Sequence, residues 1–136
     1  VLSFCDNAEQ ALAAVILFDQ FPRNMFRGTP AAFATDLKAL RLADFALDRK
    51  YDTGLSTNQR VFLYMPYMHS ERLCDQQRCV RLFESLGADA SENLKFAKAH
   101  LELIAKYGRF PHRNKILNRA STPAEADYLQ KPGAGF

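Results

Sequence analysis

The chain has no tryptophan, and its three cysteines make an odd set without the paired spacing of a metal finger. Cys74 and Cys79 stand five apart on what reads as one helix, hence on different faces, so a bridge between them is not expected. Thiols kept reduced in a cytoplasm are the plain expectation. Long apolar runs are also missing. The longest, Ala11 to Phe18, falls far short of the ~20 residues that cross a bilayer, so no membrane span is expected. No positively charged leader or small-residue cleavage site marks a signal peptide. The lack of an initiator Met suggests a start after processing or inside a longer protein. His69, His100 and His112 form no i, i+4 pair, so no helical metal site is expected, and no cofactor either.

What remains is an ordinary globular composition. With 136 residues, 48% hydrophobic and 24% charged, the chain suits one domain with a continuous core. Its aromatic content is 11 Phe and 5 Tyr, and its net charge of +3 is unevenly placed. Lys106, Arg109, Arg113, Lys115 and Arg119 follow one another with no acid between them, which leaves the rest of the chain net negative. A basic segment in a near-neutral protein points to a local anion site more than to a surface that coats nucleic acid.

The apolar periodicity is helical nearly throughout, with no strand-like alternation. Ala8 to Phe21 is apolar almost all round, as a central helix would be, with Asp6 or Asn7 as its cap and Pro22 marking a corner. Thr29-Pro30 opens a short turn, and Thr35 or Asp36 starts a helix to about Lys50. Ser56 to Gln59 forms a capping box for a segment that Pro66 interrupts. Ser70 is expected to cap a helix to Leu86, and Ser91-Glu92 to begin another that Gly108 stops after Tyr107. Pro111 starts a short helix through Leu117. Thr122 to Glu125 is a second capping box for a last turn ending near Gln130. The prediction is an all-α domain of about six to eight antiparallel helices over residues 1–130, with residues 131–136 as a loosely held tail.

One pattern occurs twice. Phe21-Pro22-Arg23-Asn24, then Arg27 and Thr29-Pro30, returns as Phe110-Pro111-His112-Arg113-Asn114, then Arg119 and Thr122-Pro123. Each copy concentrates guanidinium and amide groups beside a proline, where backbone N–H groups are available to an anion. The alternative is scaffolding, in which the arginines bond carbonyls at helix ends and the asparagines cap turns. Asp19 is a second oddity, a carboxylate at the end of the most apolar helix. It needs a cation, and Arg23 and Arg113 are the candidates. In His69-Ser70-Glu71, an imidazole beside a carboxylate suits proton transfer, with His112 as the partner to test. Ser70 as a helix cap accounts for the same residues without catalysis.

Three strings together resemble a known family. They are Leu17 to Asn24 with Arg27-Gly28-Thr29, then Phe62 to Pro66 with His69-Ser70-Glu71, then Tyr107 to Asn114. In this order they are similar to a mostly bacterial family catalogued as domain of unknown function nine-two-four, over nearly the whole chain. The resemblance implies a helical, tetratricopeptide-like fold without a tandem repeat, and an upstream segment rich in aromatic residues. It implies no particular activity, substrate or cofactor. Its pattern singles out Asp19, Gln20, Arg23, Asn24, Arg27, Tyr64, His69, Ser70, Glu71, Arg109, His112, Arg113 and Asn114.

The expectation is therefore a polar pocket where the two proline corners meet, binding a small anionic ligand or an acidic peptide end. Arg23 and Arg113 hold the anion, with Gln20, Asn24, Arg27, Tyr64, Arg109 and Asn114 around them and Asp19 orienting an arginine. His69, Glu71 and His112 are the candidates for proton exchange, and any chemistry would be hydrolysis or proton transfer without a metal. The rival is a protein-interaction scaffold with no activity. Nucleic-acid binding ranks last because the excess charge is small.

Overall fold

The computed structural model describes residues 5–136, so the first four residues of the expected domain lie outside the described part. The described chain is all-α. It has six α-helices: α1 (Ala8–Met25), α2 (Asp36–Asp48), α3 (Thr57–His69), α4 (Leu73–Ser85), α5 (Ser91–Tyr107) and α6 (Pro123–Leu129). Short 3-10 turns at Pro30–Phe33, Tyr51–Gly54, Gly87–Ala90 and Pro111–Arg113 join them. The helix boundaries follow their caps. The Asn7 side chain accepts from the Gln10 backbone N–H, and both capping boxes form, Ser56 with Gln59 and Thr122 with Glu125. Gly108 ends α5 at φ 74°, a left-handed geometry that glycine adopts without strain.

Two prolines do not break their helices. Pro22 was expected to end α1 at Phe21, yet the helix continues to Met25. A proline there deprives the Phe18 carbonyl of its helical donor, and the Thr35 hydroxyl donates to that oxygen instead at 2.7 Å. Pro66 likewise sits inside α3. Ser70 ends α3 rather than capping α4, which starts at Leu73 after Arg72. Its hydroxyl donates to Asp75 at 2.6 Å and accepts from the Arg72 N–H.

The central helix is α3, not α1. It packs against α1, α2, α4 and α5, and buries Leu63, Tyr64, Pro66, Tyr67 and Met68. In contrast, α1 buries Ala11, Leu12, Val15 and Asp19 but leaves Leu17, Phe21 and Met25 exposed along one stripe. Each buried tyrosine has an acceptor, Asp52 for Tyr64 and Asp44 for Tyr67. Burial, with these carboxylates beside them, pushes both phenols well above their ordinary range.

The last six residues fold back instead of trailing away. The Gly135 N–H donates to the Tyr128 hydroxyl at 2.9 Å, and the Phe136 ring stacks on His100 at 3.7 Å between centroids. Gly135 has φ 84°, which other residues adopt only with strain, and a β-carbon there would press on His112 at 3.0 Å, so glycine suits this close approach.

Candidate functional site

The end of α3 is where the shared strings meet. Buried Gln76 of α4 donates to the carbonyls of Met68 at 2.7 Å and Ser70 at 2.6 Å, which satisfies the orphan end of the helix and fixes the chain on both sides of His69. Glu71 leaves that corner to accept from the Phe110 N–H at 2.8 Å and to form a two-point bridge with Arg119. Burial alone would raise the Glu71 carboxyl. Its bonds from Arg119 and Phe110, with the nearby guanidinium charges, outweigh this and lower it. Arg119 also donates to the Phe110 carbonyl and to Asn114. These bonds press the second proline string against the end of α3.

Arg113 is the product of that arrangement. It is buried, its Nη2 donates to the His69 carbonyl at 3.0 Å, and its guanidinium carbon lies 4.5 Å from the Phe33 ring centre and 4.7 Å from that of Phe110. Burial lowers it to about 10, with Glu71 and Asp36 opposing, so it remains a cation at neutral pH. Arg23 reaches the same Phe33 ring from the other string, at 5.6 Å. Its two terminal nitrogens bond both Asp36 oxygens at 2.6 and 2.8 Å.

Asp19 faces this corner from α1 and is fully buried. Its nearest partner is His69, whose Nδ1 lies 2.7 Å from Oδ1, while Gln20 donates to Oδ2 at 2.6 Å and the Arg23 cation stands 3.5 Å away. The expected partner Arg113 bonds the His69 backbone instead. Burial works to raise the Asp19 carboxyl, but the His69 and Arg23 charges and the bonds from His69 and Gln20 prevail and lower it.

Arg23, Arg27, His69, His112 and Arg113 line one cavity of about 680 Å³. Phe33, Phe96, Phe110 and Phe136 supply much of its apolar wall, with Met65, Met68 and Ile116. A smaller cavity of about 320 Å³ shares Phe33, His69 and Arg113 and adds Glu71 and Asp36. The remaining expected residues fall outside both. Tyr64 is a core residue bonded to Asp52, and Asn24 is exposed and donates to the Gln20 carbonyl. Gln20 serves Asp19. Arg109 forms a two-point bridge with buried Glu125, and Asn114 donates to Ser121 and Glu125, so both brace α6.

His100, Phe33, Phe96 and Phe136 line the main cavity without having been expected there. Phe96 and His100 stand four apart on α5, a spacing that shares a helix face, and the His100 Nδ1 bonds the Phe96 carbonyl at 2.6 Å. Nothing in the sequence distinguishes Phe33 from the other ten phenylalanines. Burial holds His100 down to about 4, and burial followed by the Arg113 charge does the same for His112. The His112 Nδ1 is buried without a hydrogen-bond partner among the described residues. Among the described residues, no group of three His, Cys, Asp or Glu side chains is placed to hold a metal ion. None of their helices is long and apolar enough to cross a membrane.

The shared strings thus place a buried guanidinium and two imidazoles, His69 and His112, on one largely apolar cavity of an all-α domain, and α5 adds His100. The chain belongs to the family described as bacterial protein of unknown function (DUF924), whose sequence model matches residues 2–133. It is also similar to a solved structure, that of the protein of unknown function ATU0120 from Agrobacterium tumefaciens. The two are 44% identical, the match covers 94% of this chain and 71% of the other, and the TM-score is 0.87. No curated protein matches the chain.

Proposed function

We propose that this protein is a binding domain whose main cavity takes a small anionic ligand with an apolar body, or an acidic peptide end. The observation that carries this reading is Arg113, a buried cation on the wall of a cavity of about 680 Å³ that makes, among the described residues, a single hydrogen bond, to the His69 carbonyl. A buried guanidinium spends its remaining donors best on a planar anion. The aromatic walls suit a hydrophobic remainder. Arg27, exposed at the same cavity, extends the positive edge. Arg23 braces the site, since Asp36 occupies its terminal nitrogens.

The rival scaffold reading rests on the exposed stripe of Leu17, Phe21 and Met25 on α1. We also infer a cytoplasmic protein with a tetratricopeptide-like helical arrangement. Supporting this are the unbridged Cys74 and Cys79 and the packing of successive helices in pairs, α1 with α2 and α4 with α5.

A thermal-shift panel of phosphates, carboxylates and nucleotides tests the binding reading. A ligand present at a hundred times its Kd stabilises the fold by about 2.7 kcal/mol. We expect a carboxylate or phosphate to raise the melting temperature of the wild type and not of Arg113→Met. If no anion shifts the wild type, the scaffold reading takes its place.

A further inference from the structure

Building on the anion-binding reading, we propose that His69, oriented by Asp19, is a general base that activates water in the main cavity to hydrolyse an ester carrying a second, free carboxylate. Asp19 is fully buried on an otherwise apolar stretch of α1, an expensive position for a carboxylate. It spends this position on His69, 2.7 Å from Nδ1. A carboxylate there makes Nδ1 the donor and leaves the lone pair on Nε2, the nitrogen for which no acceptor or donor is found among the described residues. Gln76 clamps the carbonyls on either side of His69, so ring and backbone are held together.

The other two imidazoles of the cavity lack this support. His100 donates to the Phe96 carbonyl, and among the described residues the His112 Nδ1 is unpartnered and no carboxylate bonds to either ring. Among the described residues, no Ser, Thr, Cys, Lys or Tyr lines the cavity, so the nucleophile is water rather than a side chain. Arg113 bonds the His69 carbonyl at 3.0 Å, which sets its guanidinium beside the base. A carboxylate held there brings the rest of the molecule over His69. Phosphoryl transfer asks for several converging cations, and here Arg23 and Arg119 are engaged by Asp36 and Glu71. Hydrolysis at an acyl carbon asks for a base, a water and hydrogen-bond donors for the developing oxyanion rather than a cluster of cations.

The step balances without a co-reactant. His69 Nε2 takes a proton from water as the water oxygen adds to the acyl carbon. The tetrahedral adduct then expels the alkoxide, which recovers that proton from Nε2–H, giving a carboxylic acid and an alcohol. His69 is the catalytic residue, and Asp19 is a positioning residue that sets its tautomer.

The probe is mono-4-nitrophenyl glutarate, followed by release of 4-nitrophenolate. Saturable hydrolysis above the buffer rate is expected, falling to that rate in His69→Asn. Asp19→Asn is expected to keep KM and to lower kcat by about a hundredfold to ten-thousandfold. Nitrogen NMR of the His69 ring should show Nδ1–H in the wild type and a shift toward Nε2–H in Asp19→Asn, which a purely structural carboxylate would not produce. Arg113→Met should raise KM far more than it lowers kcat. Glutarate-induced thermal shifts report whether each variant is folded and binds. A glutarate shift that Arg113→Met abolishes, without hydrolysis above buffer, would overturn the base assignment and leave the anion site standing. Equal rates for wild type and His69→Asn, or an unchanged kcat in Asp19→Asn, would overturn it as well. The absence of both shift and turnover would remove the binding reading along with it.

Discussion

The two proline strings share their letters and little of their structure. In the first, Phe21 is half exposed, Pro22 lies inside a continuing helix, and Asn24 faces solvent. In the second, Phe110 is fully buried, Pro111 opens a 3-10 turn, and Asn114 is buried among Ser121, Glu125 and Arg119. Their arginines still converge on the ring of Phe33. Arg23 arrives paired with Asp36, whereas Arg113 arrives in a greasy slot with one bond. The lesson is that a motif's chemistry depends on what covers it. The copy with acids beside it became a brace, and the copy beneath aromatic rings became a candidate ligand contact.

Truncating each phenylalanine separates the copies most sharply. Phe110→Ala is expected to cost about 3–5 kcal/mol in urea denaturation, as large buried aromatics do. Phe21→Ala should stay within about 0.5 kcal/mol. Similar costs for both would mean that the exposed copy is covered by something in solution.

Acid separates the copies next, because their titratable groups act in different windows. His100 and His112, around the second string, are held down to about 4 by burial. The unfolded chain takes up protons at these two sites once the pH falls through ~6.5, the folded chain only near 4. Their contribution is therefore complete above ~6.5 and lost as the pH falls toward 4, with a slope approaching two protons. Asp19, beside the first string, is lowered from 3.8. Its contribution is present above that value and fades only as the pH falls below it. Thermal melts from about pH 7 to about 4 should show the histidine window first. His112→Phe, which removes the unpartnered Nδ1, should roughly halve that slope and raise stability at about pH 5. An unchanged slope would place the His112 ring in water.

The smallest effect tests how α1 tolerates its proline. Thr35→Val is expected to cost about 1 kcal/mol, because the Phe18 carbonyl has no helical donor of its own. In a Pro22→Ala background the new N–H supplies that donor, so the same substitution should cost markedly less. A coupling of about 0.5–1 kcal/mol in the double-mutant cycle is expected. No coupling would mean that the Thr35 hydroxyl holds the loop for another reason.

Much of the fold could be read in advance where one local signal sufficed. Both capping boxes, the Gly108 stop and the starts of α1, α2 and α5 needed only their own residues. The expectation failed where local rules compete with packing. Pro22 and Pro66 read as breaks, but a proline near the end of a well-packed helix removes a single bond, and Thr35 replaces the one lost at Pro22. The site divided in the same way. Asp19 was recognisable as a carboxylate in need of a cation, yet its main partner proved to be His69, fifty positions away.

Local chemistry in the chain was enough to specify an all-helical fold, most helix starts, both capping boxes and a set of polar side chains too costly to bury without purpose. Covalent order cannot say which of those side chains will be neutralised by neighbours. That depends on how α1, α3 and the Phe110 corner pack, since the worth of a charge is set by the water excluded and the countercharges brought within a few ångströms. Packing assigned Asp36 to Arg23, Glu71 to Arg119 and Asp19 to His69, and it left Arg113 at the cavity wall with one bond.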